Sequence, residues 1–187
     1  MIFRLTIASA AALALAACGD ADTAADDTLA DAAATDTALP TEAPPADPST
    51  PQGFVEAMAA SDMFEIEAGR LAEEMGTSQA VKDFGAMMVS DHTASSDKLK
   101  AAVAAAGDGL TVVPALTAAQ QGNLDRLRSA GDNFDTLYAQ QQVSAHETAL
   151  GLLRGQAQSG TVEQLKTFAG ETATVVEGHL EQARELP

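Results

Sequence analysis

The chain has 187 residues, a formal net charge of −17, three histidines, one cysteine and no tryptophan. This acidic balance argues against nucleic-acid binding, which needs a basic surface, and against electrostatic docking on anionic lipid. A single cysteine excludes an intramolecular disulfide.

Residues 1–17 are typical of an export signal. Arg4 is their only basic residue, and the largely apolar run Leu5–Ala17 covers 13 residues, whereas about 20 are needed to span a bilayer. The run ends in the Leu-Ala-Ala-Cys pattern of a bacterial lipobox, so we expect cleavage before Cys18 and lipidation of that residue. Gly19 follows, which favours the outer membrane, facing the periplasm. The alternative is an ordinary exported protein in which the cysteine is incidental.

Residues 18–52 consist almost entirely of Ala, Asp, Thr and Pro, with eight acidic residues and no basic or aromatic one. Such a segment has too little apolar surface to offset the entropy of ordering, so it is predicted to be a disordered acidic tether. Residues 53–187 hold 19 acidic and nine basic residues, a net charge of −10, and are long enough for one domain with a single core.

Apolar residues recur in this domain at the spacing of amphipathic helices, and no window alternates with period two. The Thr50-Pro51 pair is typical of a helix start, and Thr117 with Gln120 and Thr161 with Gln164 are capping-box patterns. The predicted helices are Pro51 to about Met75, Ser78 to Gly107, Thr117 to about Ala130, Asp132 (as N-cap) to about Ser159, and Thr161 to Ala183.

Four long helices in two short-turned hairpins, joined by a helical connector, predict an all-α, ferritin-like four-helix bundle. A plain up-down bundle needs only a few residues between its hairpins, whereas this connector is long enough to travel along the bundle. Gly69 and Gly85 fall nearly opposite each other across the first turn, which is expected where two helices approach closely; the alternative is a loosely packed bundle.

Each long helix carries one titratable residue on its apolar face, and counting from the turns places all four near the middle of the bundle. They are Glu65, His92, His146 and His179. Such convergence is typical of metal and cofactor sites in bundles, so the sequence predicts a site for a single transition-metal ion or a small ligand. Imidazole and carboxylate suit Zn, Ni, Cu(II) or Fe, which leaves the metal open.

The alternative is a structural or protein-interaction bundle without enzymatic activity, in which the same residues form a polar core layer. The histidines then bond to neighbours such as Glu65, Asp91, Gln142, Thr172 or Tyr138.

An enzyme is less favoured by these residues. Di-iron sites of bundles use Glu-x-x-His, but Val89, Val143 and Val176 stand three residues before the histidines, which argues against a ferroxidase or di-iron oxidase. The chain also has no nucleophile elbow and no phosphate-binding loop.

Four segments resemble a known bacterial family: residues 61–72, 84–93, 138–150 and 177–183. It is the domain-of-unknown-function family numbered 4142, often labelled "predicted outer membrane protein". The resemblance covers about 54–184 and implies an exported protein with a ferritin-like bundle, but no established activity and no known protein partner. Members often carry Asp before the third-helix histidine, where this chain has Ala145.

Overall fold

A computed structural model describes residues 46–107 and 109–187. They form the helices α1 (Pro51–Met75), α2 (Gln79–Ala106), α3 (Ala118–Arg128), α4 (Phe134–Ser159) and α5 (Glu163–Ala183), with a 3-10 turn at Gly131–Asn133. These residues contain no strand, so the all-α prediction is confirmed. The predicted signal peptide, Cys18 and residues 18–45 of the predicted tether lie outside the described residues. Residues 51 and 52, the last two of the predicted tether, belong to α1, which begins at Pro51.

Three predicted helix starts are confirmed by their caps. The Thr50 side chain accepts from the backbone N–H of Gly53. The Ser78 side chain caps α2 in the same way, and Thr117 and Gln120 form the reciprocal capping box of α3. Each cap satisfies backbone N–H groups that have no partner inside the helix.

Two predicted caps were wrong. Asp132 lies within the 3-10 turn, and α4 starts after Asn133, because the tight turn satisfies the nearby amides with backbone carbonyls. Helix α5 starts after Val162, whose carbonyl accepts from the first amides, so Thr161 is out of register for a capping box. The Gln164 side chain donates instead to the carbonyl of Ala105 on the neighbouring helix α2.

The start of α4 is fixed to the turn between α1 and α2. The Asp135 carboxylate accepts from the N–H and hydroxyl of Thr77 at 2.8 and 2.6 Å, and from the N–H of Ser78 at 2.8 Å. Helix α4 therefore begins at the end of the bundle where α1 ends. The helices run up, down, down and up, and α3 lies in a connector that travels the length of the bundle, as predicted for a ferritin-like arrangement.

The two helices of the first hairpin approach closely at their glycines. A Cβ placed on Gly69 would lie 2.6 Å from the carbonyl oxygen of Gly85, and one placed on Gly85 would lie 2.7 Å from that of Gly69. Real Cβ atoms do not tolerate such distances, so the predicted role of these glycines in close packing is confirmed.

The core is divided into two apolar clusters by a polar layer. One cluster surrounds Phe54, Leu99 and Leu153, and the other surrounds Phe64, Phe84 and Phe134. Between them lie buried polar residues from all four long helices: Asp62, Glu65, His92, Gln142, His146 and His179. The described helices include none that is both long and apolar enough to cross a membrane.

Candidate metal centre

Three imidazole rings meet in the middle of the polar layer. The ring centroids are 5.8 Å apart for His92 and His146, 5.7 Å for His92 and His179, and 5.5 Å for His146 and His179. One ligand nitrogen from each ring lies within 4.8 Å of those of the other two. The three residues are 5%, 1% and 4% exposed, so the cluster is shielded from bulk water.

The position of each ring follows from the periodicity of its helix. His92 lies one turn after the buried Met88 and two turns before the buried Leu99, so α2 presents it to the core. His146 occupies the corresponding place on α4, where the ring of Phe84 lies 6.3 Å from it. The sequence-based prediction that the three histidines share one level is confirmed.

Each ring is held through one of its two nitrogens. Nδ1 of His92 lies 2.8 Å from Oδ1 of Asp62, and Nε2 of His179 lies 3.0 Å from Oδ2 of Asp91. Nδ1 of His146 lies 2.8 Å from the carbonyl oxygen of Gln142, one turn earlier on α4. A carboxylate or carbonyl can only accept, so the proton of each neutral ring sits on the anchored nitrogen. The other nitrogen then carries a free lone pair.

These other nitrogens have no hydrogen-bond partner among the described residues. They are Nε2 of His92, Nε2 of His146 and Nδ1 of His179, and all three are buried. A buried polar nitrogen without a partner costs about 1–3 kcal/mol, and three such nitrogens occur in this one cluster. A single cation would satisfy all three at once.

The separation of the nitrogens is slightly larger than a bound ion requires. With Zn–N bonds of about 2.0–2.1 Å, three ligand nitrogens around one ion lie about 3.3–3.6 Å apart. The observed limit of 4.8 Å therefore calls for an inward movement of about an ångström, which side-chain rotation can provide. The donor set consists of imidazole nitrogens alone.

Glu65 lies beside the cluster rather than among the inward nitrogens. Its Oε2 accepts from Nε2 of Gln142 at 2.7 Å, and its Oε1 lies 3.8 Å from Nδ1 of His146. That nitrogen is the anchored one, so the carboxylate stands behind the ring. Glu65 is 1% exposed and places a titratable carboxyl against the outer side of the cluster.

Within the polar layer, burial and the neighbouring carboxylates shift the pKa values of different residues in opposite directions. Burial raises the pKa of Glu65 to about 7, although the neighbouring His92 opposes this change. Burial alone would lower the pKa of His92, but its bond to Asp62 and the nearby charges of Glu65, Asp62 and Asp91 raise it.

The pKa values of the other two histidines are lowered instead. Burial, together with His92, lowers the pKa of His146 to about 3. Burial also lowers the pKa of His179, in spite of its bond to Asp91. Near neutral pH these two rings are therefore neutral, which is the form that binds metal.

Asp62 is the member of this arrangement that sequence reasoning missed. It is fully buried on α1, one turn after Met58 and three residues before Glu65. The sequence did contain a signal for a buried Asp62, because Met58, Asp62 and Glu65 follow the i, i+4, i+7 spacing of an inward helix face. Ser61, one position away, is only partly buried.

No curated protein and no solved structure matches the chain significantly. One family does match, under the description "Domain of unknown function (DUF4142)", and the match covers residues 36–186. That range includes every residue of the histidine cluster and its anchors. The chain belongs to the DUF4142 family.

Proposed function

We propose that this protein is a lipid-anchored protein of the cell envelope whose bundle binds one transition-metal ion through His92, His146 and His179. The observation that carries the metal site is the set of three buried, inward-facing nitrogens without hydrogen-bond partners. Asp62, Asp91 and the Gln142 carbonyl orient the rings, as outer partners do in metal sites. Glu65 places a titratable carboxyl group behind His146.

A purely structural polar layer explains this arrangement less well. Structural layers are stable when every buried polar group has a partner, and a partly satisfied layer is worse than an apolar core. Here each histidine is satisfied on one nitrogen only, and one ligand nitrogen of each ring lies within 4.8 Å of those of the other two. That pattern is expected of ligands.

The chemistry of the donors narrows the choice of ion. Imidazole nitrogen suits Zn²⁺, Cu²⁺, Ni²⁺ and Fe²⁺, whereas Mg²⁺ and Ca²⁺ prefer oxygen ligands. The carboxylates of Asp62 and Asp91, together with Glu65 once it has lost its proton, compensate the charge of a divalent ion in a buried position.

The anchoring part of the proposal is supported by the sequence alone. The Leu-Ala-Ala-Cys pattern at Cys18 and the acidic segment after it are those of a protein held at a distance from a membrane. Gly19 favours the outer membrane, with the bundle in the periplasm. Labelling with radioactive palmitate should mark the wild type and leave Cys18→Ser unlabelled.

The metal site is tested by elemental analysis of protein purified without a histidine tag from metal-replete medium. We expect about one equivalent of a single transition metal in the wild type and none in the His92→Ala/His146→Ala double variant. Gln156→Leu is the matched control, because it removes another buried polar side chain of α4, about 15 Å along the helix from His146. A wild type that neither contains nor binds a metal would make the layer structural.

A further inference from the structure

Three carboxylates border the histidine cluster, and they differ greatly in exposure. The side chains of Asp62 and Glu65 are 1% and 2% exposed, whereas that of Asp91 is 41% exposed. Among these three, only Asp91 joins the cluster to bulk water.

His179 connects Asp91 to the interior. Its Nε2 lies 3.0 Å from the Asp91 carboxylate, and its Nδ1 is one of the three buried nitrogens without a partner. One imidazole ring therefore separates a surface carboxylate from the centre of the cluster. His92 and His146 make no such connection, since their anchors are the buried Asp62 and a carbonyl of α4.

The other directions are unfavourable for a charged ion. Along the bundle axis, the layer is bounded by the two apolar clusters, and crossing either would strip the ion of water with nothing to replace it. On the side of Asp62 and Glu65, both carboxylates are covered by packed helices.

Building on the proposed function, we propose that Asp91 is the point at which a divalent metal ion first binds from solution. The ion then passes along His179 to the inward nitrogens. An exposed carboxylate attracts the ion while it keeps most of its water, and Nδ1 of His179, the nitrogen that carries the lone pair, replaces part of that water when the ion reaches the interior. Asp91 thus acts as a residue of metal uptake in addition to orienting His179.

The proposal is tested by stopped-flow kinetics with Co²⁺, whose visible absorption changes on coordination by nitrogen. We expect Asp91→Asn to lower the association rate constant by about ten-fold or more, without raising the dissociation rate constant. Asp91→Glu should restore most of the rate. Raising the salt concentration should slow association in the wild type and have much less effect in Asp91→Asn.

Asp83→Asn is the matched control, because Asp83 is an exposed carboxylate on the same helix that bonds to Gln79 instead of the cluster. Its association rate should equal that of the wild type. An unchanged association rate in Asp91→Asn, with faster dissociation, would reduce Asp91 to a positioning residue and overturn the inference. A wild type that binds neither Co²⁺ nor Zn²⁺ at equilibrium would instead overturn the proposed function.

Discussion

The carboxylate of Asp62 lies 2.8 Å from Nδ1 of His92, and the side chains of the two residues are 1% and 7% exposed. Ser96 donates a second hydrogen bond to the same carboxylate at 3.2 Å. This pair restrains the orientation of His92 and sets the tautomer of its neutral ring. Pre-orientation of this kind lowers the cost of binding.

Asp62→Ala should therefore weaken metal binding without removing a ligand. We expect a loss of about 10–100-fold in affinity, measured by isothermal titration calorimetry, because His92 is no longer held. Asp97→Ala removes an exposed carboxylate of α2 that, among the described residues, bonds to Lys100 and not to the cluster, and the affinity of this variant should equal that of the wild type. Equal affinities for Asp62→Ala and the wild type would contradict the assigned role of Asp62.

Metal should stabilise the folded wild type. An ion that binds only the native state, at 100 times its Kd, adds about 2.7 kcal/mol to the free energy of unfolding. We expect a corresponding rise in Tm on addition of Zn²⁺ and a much smaller one for His146→Ala. If chelator-treated wild type and Zn²⁺-treated wild type melt at the same temperature, the ion does not bind the native state.

Glu65 should destabilise the metal-free protein as the pH rises. Its pKa is about 7 in the native state and has the ordinary value of 4.5 when exposed, so the native state keeps a proton that the unfolded chain loses. The resulting stabilisation is complete below pH 4.5 and is lost as the pH rises to about 7, at up to about 1.4 kcal/mol per unit.

Glu65→Gln carries no such proton. The difference in free energy of unfolding between Glu65→Gln and the wild type should therefore increase from pH 4.5 to 7, measured by urea denaturation in chelator. The groups that face Glu65 are Asp62 on α1, His92 on α2, and Gln142 and His146 on α4, and all are retained in the variant. A difference that is independent of pH would show that Glu65 does not retain its proton.

His146 should make the metal-free protein sensitive to acid. Its pKa is lowered to about 3, so the unfolded chain binds a proton near pH 6.5 while the native ring stays neutral. The contribution of the neutral His146 ring to the free energy of unfolding is present above pH 6.5 and is lost as the pH falls towards 3. His146→Phe should lose less stability than the wild type between pH 7 and 5, which urea denaturation at the two pH values would reveal.

Substitution by alanine should have opposite effects on stability at two of the glycines. Gly69→Ala places a Cβ 2.6 Å from a backbone oxygen of α2, so we expect a loss of more than about 1 kcal/mol as the helices separate. Gly151 is exposed on α4, and no described atom would lie within 4 Å of an added Cβ beyond its own helix and chain neighbours. Gly151→Ala should therefore stabilise the protein by about 0.5–1 kcal/mol. Equal effects at the two positions would contradict the close approach of α1 and α2.

The fold was largely predictable because its signals are local. Apolar periodicity gave the helices, and Thr50, Ser78 and Thr117 marked three starts with side chains that bond their own first turn. The starts of α4 and α5 were missed because backbone carbonyls replace the side-chain caps there. Whether a side chain or a backbone carbonyl caps a helix start depends on the neighbouring elements, so it cannot be predicted from the local sequence.

The level of the three histidines was predictable for the same reason, since it follows from residue counts. The direction of each ring nitrogen was not, because it depends on which neighbour anchors the ring. Asp62 illustrates the difficulty: one position along a helix corresponds to a rotation of 100°, so a shift of one residue in the assumed inward face exchanges Asp62 for Ser61. Glu65 was correctly placed inside the core. Its distance from the inward nitrogens could not be predicted, because that distance depends on how the side chains pack.

The division of the core into two apolar clusters also bears on how the chain assembles. Both clusters take side chains from all four long helices, so neither hairpin contains a complete hydrophobic nucleus. A break in the connector would therefore give two fragments that each expose part of both clusters. Such fragments should fold by associating with each other, and the bundle as a whole should form only when its two hairpins meet.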